Sequence, residues 1–210
     1  FLNAYFQTGL RSNIDEEVIN RGFENGMQEV TEKYKKIDEV PFDFSRRRLS
    51  VVVNDGTKSQ LITKGAVEEI LSISSMVDYQ GKVSPITNEI KENVKRIAKD
   101  LNKQGLRVVA VCQKNELDKT SSFGVSDEKN MVLMGFIGFL DPPKESAKSS
   151  IEKLNKNGIR VIVLTGDNVE VTRCVCDKVG IKSNKIITGA QIDKLADQGV
   201  KRLLKKTNIF

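Results

Sequence analysis

The sequence predicts an α+β chain in two parts: antiparallel strands with flanking helices over residues 1–140, then part of an α/β unit with parallel strands over residues 141–210. Three observations carry this. An Asp-Gly turn joins two β-branched runs, apolar residues recur at helical spacing after Thr87, and beyond Asp141-Pro142-Pro143 an apolar strand pattern alternates with helices.

Leu49–Val53 and Ser59–Thr63 flank Asn54-Asp55-Gly56, the pattern of a hairpin. Gly65 leads into a short helix over Ala66–Leu71. Thr87 fits the N-cap of a helix with Ile90, Val94, Ile97, Ala98 and Leu101 on one face, and Gly105 supplies its stop before a strand over Leu106–Val111. Leu117 to Lys129 is polar and turn-rich and reads as a long loop or hairpin tip. Met131–Leu140 predicts a strand buried on both faces, ended by the paired prolines, and a helix from about Glu145 to Asn157 stops at Gly158. Ile159–Leu164 then predicts a second buried strand, and a helix follows Asp167. Strand and helix in alternation point to a parallel sheet, with Asp141-Pro142-Pro143 as the joint between the two parts.

Composition excludes several classes of function. With 39% hydrophobic and 30% charged residues the 210-residue chain can bury a core, and it contains no repeat or low-complexity block. Its longest apolar stretch, Met131–Leu140, is about half of the roughly 20 residues that a membrane-spanning helix needs. Phe1–Phe6 carry no basic segment leading into a longer apolar one, so no signal peptide is read there, and the chain is expected to be cut from a longer protein. The absence of histidine removes Ser-His-Asp and Cys-His mechanisms and the commonest zinc ligand, and no metal site is expected. Cys112, Cys174 and Cys176 form no paired framework, which fits a reducing compartment, with Cys174 and Cys176 as reduced helix residues. The net charge of +6 calls for a polyanion, but lysines and arginines interleave with acids instead of clustering with aromatics. A nucleotide triphosphate therefore fits better than nucleic acid.

In an open parallel sheet, ligands sit beyond the carboxyl ends of the strands. Thr165-Gly166-Asp167-Asn168 occupies that position after Leu164. The threonine hydroxyl can bond a phosphoryl oxygen, Gly166 allows close backbone approach, and the next helix offers unpaired N–H groups to an anion. The same residues fit a plain strand-to-helix turn with Asp167 as its cap.

Lys64-Gly65-Ala66-Val67-Glu68, Gly105-Leu106-Arg107, Asp141-Pro142-Pro143-Lys144 and Leu164-Thr165-Gly166-Asp167-Asn168 together resemble the ordered motifs of P-type cation-transporting ATPases. Gln7-Thr8-Gly9-Leu10 leading to Asp15, and Pro41-Phe42-Asp43-Phe44-Ser45-Arg46-Arg47-Arg48, are similar to the magnesium-transporting branch. The resemblance covers essentially the whole chain. It implies a nucleotide-binding domain over residues 1–140 and part of a phosphorylation domain of haloacid-dehalogenase type over residues 141–210.

The resemblance implies a role for each matching residue. Phe44 is expected to stack on adenine, with Phe42 as the fallback two residues earlier; a core phenylalanine is the alternative. Lys64 matches the lysine at the mouth of the adenine pocket, and Gly65 lets the backbone approach the base, although Val67 stands where the family usually has proline. Asp15 matches an acceptor for the adenine amino group and fits a helix cap equally well. Arg107 matches the arginine that reaches the phosphates. Strand alternation would put Arg46 and Arg48 on the face of Phe44, which makes Arg46 a candidate second phosphate contact. Thr165 matches the hydroxyl that holds the transferred phosphoryl group, Gly166 and Asp167 match positions around the nucleotide, and Asp141 matches an acid at the hinge or serves as a turn residue.

The family's Asp-Lys-Thr-Gly-Thr segment, with the phosphorylated aspartate, and its Gly-Asp-Gly-x-x-Asn-Asp magnesium segment occur nowhere in the sequence. The resemblance thus implies an intact multi-pass membrane protein that uses ATP and Mg2+, with this segment cytoplasmic. Its partners would be adenine nucleotide and the phosphorylation, actuator and transmembrane parts of the same pump, and the 210 residues alone would bind nucleotide without turnover. The apolar run Val161–Leu164 is expected to present an open edge through which the chain self-associates or leaves its last third disordered. Two other classes stay open. A soluble haloacid-dehalogenase-type phosphatase needs an Asp-x-Asp strand, which the sequence lacks, and a basic nucleic-acid-binding module would show steep salt dependence.

Overall fold

Val51, Val52 and Val53 are completely buried, because their strand has packed side chains on both faces. The computed structural model describes residues 1–9, 11–115, 117 and 122–210. In chain order the elements are α1 (Leu2–Phe6), α2 (Asn13–Glu24), α3 (Gln28–Lys33), β1 (Lys35–Asp43), β2 (Arg48–Asn54), β3 (Ser59–Gly65), α4 (Val67–Ile73), β4 (Ser74–Tyr79), β5 (Lys82–Pro85), α5 (Asn88–Lys103), β6 (Leu106–Asn115), β7 (Met131–Leu140), α6 (Ser146–Lys156), α7 (Val169–Lys178), α8 (Gly189–Ile192) and α9 (Asp197–Lys206). They fall into two units, Phe1–Ala98 with Val108–Gly138, and Lys99–Arg107 with Phe139–Phe210.

The seven strands form one sheet in the order β1-β2-β3-β6-β7-β4-β5. The expected hairpin is β2 and β3, paired from Arg48↔Gly65 to Asn54↔Ser59. Leu61, Val52, Ile70, Ala98, Ala110 and Leu133 pack on one face, where α4 and α5 contribute. On the other, Leu49, Val51 and Val53 meet Leu2, Phe6 and Tyr34. Thr87 caps α5 as expected, accepting from the Ile90 N–H at 3.2 Å, and Gly105 ends the turn beyond it with φ +88°.

Three expectations are corrected. The sheet is mixed, since β4 runs parallel to β7 from Ser74↔Met131 to Val77↔Leu133, and β4 and β5 carried no sequence signal strong enough to find them. Strand β7 is buried at Met131 and Leu133, but Leu140 is exposed, because the apolar cluster covering the sheet reaches only to Phe136. Ile159–Leu164 is not a strand: only Val163 forms a bridge, parallel to Ile209, while Ile162 and Leu164 are exposed. Backbone bonds from Val163 N to Asn208 O (2.7 Å) and from Phe210 N to Val163 O (3.0 Å) occupy one edge of that run with the chain's own residues. The second unit packs around Cys176, Val179, Ile181 and Ile209, and its described residues show parallel pairing only as the bridges Val163↔Ile209 and Ile186↔Ile209. The expected loop between Leu117 and Lys129 lies partly outside the described residues, as does Leu10.

Candidate functional site

The β1–β2 connection is a turn over Phe44–Arg47, not a continuation of strand. Asp43 builds it: its Oδ1 accepts from the N–H of Ser45 (2.7 Å) and of Arg46 (3.0 Å) and from the Ser45 hydroxyl, while its carbonyl accepts from Arg47 N–H (2.7 Å). Those bonds, the Ser45 hydroxyl first, hold the Asp43 carboxyl below the usual carboxylate range. Arg47 adopts φ +46°, the left-handed conformation that closes the turn. Phe44 is thrown outward and is 90% exposed, which rules out the core-phenylalanine alternative. Its ring meets Phe42 edge-on, with centroids 5.3 Å apart.

Arg48 pairs with Asp43 on one side and Gly65 on the other, so the Phe44 turn and the Lys64–Gly65 end of β3 share one end of the sheet. A Cβ on Gly65 would lie 2.6 Å from the Arg47 carbonyl oxygen and from the Arg48 Cβ. The close approach expected of Gly65 is therefore made to this turn, and Ala66 N–H donates to Arg47 O at 3.1 Å.

Lys64 and Asp15, 49 positions apart, are brought into contact as an ion pair. Gln7 joins them, accepting from Lys64 Nζ at 2.9 Å and donating to Asp15 Oδ2 at 2.8 Å. Asp15 is also the third residue of α2 and completes a capping box with Ser12, the helix-end role considered for it. Asp15 Oδ2 accepts from Gln7 and from the Ser12 backbone and hydroxyl, whereas Oδ1 accepts only from Lys64 among the described residues. Burial pushes the Asp15 carboxyl up, but Lys64 and Ser12 together outweigh it and leave it below its ordinary value. Burial lowers the Lys64 ammonium, and Asp15 offsets only part of that.

Arg46 does not alternate with strand partners, because it stands in the turn. Its Nη1 donates to both carboxylate oxygens of Glu128 (2.9 and 2.8 Å) and its Nη2 to Pro41 O (2.6 Å).

In the second unit Arg107 Nη2 donates to Asp167 Oδ1 at 2.5 Å, and its Nη1 lies 3.7 Å from Asp141 Oδ2. These three residues line a cavity of about 220 Å³. Thr165 Oγ1 accepts from Asp167 N–H at 3.0 Å, and Thr165, Gly166 and Asp167 line a further cavity of about 230 Å³ with Thr188 and Gly189. The cap of α7 is Asn168, which accepts from Glu170 N–H at 2.8 Å, so the cap alternative for Asp167 is corrected. Sequence reasoning missed Asp43 and Glu128. An aspartate two residues before a serine is a turn signal that could have found the first, but no spacing pointed to Glu128.

A mixed sheet with flanking helices agrees with the family that the sequence matches. Residues 7–146 match the P-type ATPase cytoplasmic domain N, and the chain belongs to that family. It is 39% identical to the magnesium-transporting ATPase, P-type 1, of Escherichia coli (strain K12), over 100% of this chain and 24% of that protein. It is 36% identical to a protein of the same name in Salmonella typhimurium (strain LT2), again over 100% of the chain and 24% of the relative. A calcium-transporting ATPase of Bacillus subtilis (strain 168) is 29% identical over 86% of the chain and 21% of its own length. The chain thus spans about a quarter of the length of the relatives it matches. Among the described residues, no helix is long and apolar enough to cross a membrane.

Proposed function

We propose that the first unit binds the adenine moiety of ATP on the face of Phe44. In the second unit, Arg107, Thr165, Gly166 and Asp167 are the residues that would meet phosphate oxygens, the aspartate that takes the γ-phosphoryl group not being in this sequence. The observation that carries the reading is the 90% exposed Phe44 ring at the same sheet end as Lys64. A bare aromatic face loses contact with water when a base stacks on it, and the neighbouring ammonium favours a polyanion. Asp15 Oδ1 supplies the acceptor for the adenine amine. Gly65 serves the site by admitting the turn that aims Phe44.

Residues 1–140 then constitute the nucleotide-binding domain and residues 141–210 part of a haloacid-dehalogenase-like phosphorylation domain. Beside Asp141 and Asp167 the guanidinium of Arg107, which the chain contributes from before that boundary, exchanges the two carboxylates for phosphate oxygens, and the Thr165 hydroxyl holds the transferred group. The intact protein is an aspartyl-phosphate-forming ATPase of the cell membrane that moves a cation, magnesium by the names of its relatives. Among the described residues no group of three or more carboxylates and thiols could hold a metal ion. The chain alone binds ATP without turning it over, a reading that sustained phosphate release from a pure preparation would defeat.

Calorimetric titration tests the site. Phe44→Ala should weaken ATP binding roughly tenfold, the loss expected for one base–aromatic stack, and Lys64→Ala should weaken it by a comparable factor. Unchanged affinity in Phe44→Ala would remove the stacking role.

A further inference from the structure

Glu128 is a buried carboxylate that reaches the candidate site from 80 positions away in sequence. Its side chain is 0% exposed. It accepts from Arg46 Nη1 at 2.9 and 2.8 Å, from Arg48 Nε at 2.7 Å and from the Ser50 hydroxyl at 2.6 Å. Ser50 is bonded in turn to Thr63 at 2.7 Å, inside the β2–β3 ladder. A carboxylate so fully desolvated is tolerated only because its lone pairs are filled and its charge is matched by two guanidinium groups. Arg46 spends its Nη1 on Glu128 and its Nη2 on Pro41 O, with its side chain only 16% exposed. Pro41 and Arg46 bracket the Phe42–Ser45 segment, so this single guanidinium ties both ends of the Phe44 turn to one buried anion.

We propose that Glu128 is the positioning residue of the adenine site, holding the Phe44 ring in place through Arg46, and that Arg46 braces the turn and does not contact phosphate. The proposal rests on the nucleotide reading above. It separates from a phosphate role for Arg46 by a simple criterion. A brace affects every ligand that stacks on Phe44, with or without phosphates, whereas a phosphate contact affects only phosphorylated ones. Arg47 has a different partner, Glu69 at 2.6 Å, and so lies outside this brace.

The experiment measures dissociation constants for ATP and for adenosine on the whole chain in four forms: unaltered, Glu128→Gln, Phe44→Ala and the double variant. Glu128→Gln keeps shape and removes the charge, and it should weaken ATP and adenosine by the same factor, about fivefold to tenfold, part of a full stacking loss. On the Phe44→Ala background the same change should cost less than twofold, because the ring it positions is gone. Loss of ATP binding with adenosine untouched would overturn the proposal in favour of a phosphate contact. Equal losses with and without Phe44 would overturn it in favour of a general structural role. If Glu128→Gln does not fold, Arg46→Lys carries the test, since an ammonium keeps the charge but cannot span Glu128 and Pro41 O together; the same two patterns decide. Absence of adenosine and ATP binding in the unaltered chain would instead refute the nucleotide reading itself, before any variant is compared.

Discussion

Asp15, Lys64 and Gln7 form a largely buried polar cluster in which the carboxylate and the ammonium depend on one another, and its pH response has a definite sign. The Asp15 carboxyl lies below its ordinary 3.8 in the folded chain, lowered by Lys64 and Ser12 against the opposing pull of burial. A depressed carboxyl contributes stability above its unfolded value and loses it as pH falls through the folded one. Asp15→Asn should therefore unfold in urea with a midpoint that falls less between about pH 5 and pH 3 than that of the unaltered chain. Parallel curves for the two proteins over that range would show that the pair contributes nothing to acid stability. In Cys112 the same effect of burial prevails: desolvation pushes its thiol up to about 12, which fits a core residue and not a nucleophile.

At the level of elements, what the sequence disclosed followed the strength of local signals. The β2–β3 hairpin, α4, α5 with its Thr87 cap and α6 were all legible, because turn residues, caps and apolar periodicity act within a few positions. The Phe44 turn was not. Its residues Pro41–Arg48 read as continuous strand, but Asp43, accepting three hydrogen bonds at one oxygen, and the left-handed Arg47 bend them. Strands β4 and β5 were hidden because a short edge pair is specified by its neighbours in the sheet more than by its own composition. Gly65 links this level to the site, since its missing Cβ makes room for the Arg47–Arg48 backbone. Gly65→Ala should cost on the order of 1–3 kcal/mol by forcing that turn away. A denaturant midpoint within error of the unaltered protein would mean that the turn gives way freely.

Across the whole molecule, the motifs that carried the family resemblance fall into two groups that the fold keeps compact: Gln7, Asp15, Phe44 and Lys64 in the first unit, and Arg107, Asp141, Thr165 and Asp167 in the second. Residue types and their order were readable from the sequence. Their partners were not, because Lys64–Asp15, Arg46–Glu128 and Arg107–Asp167 join positions 49, 82 and 60 apart, where no periodic pattern acts. The +6 charge of the chain suits a polyanion in general and does not point to any one place on the fold. The most direct measurement is a titration of the isotope-labelled chain with ATP, followed by amide chemical shift. Perturbations that centre on Gln7, Asp15, Phe44 and Lys64 are predicted, whereas shifts confined to residues 165–189, or none at saturating ATP, would contradict an adenine site in the first unit.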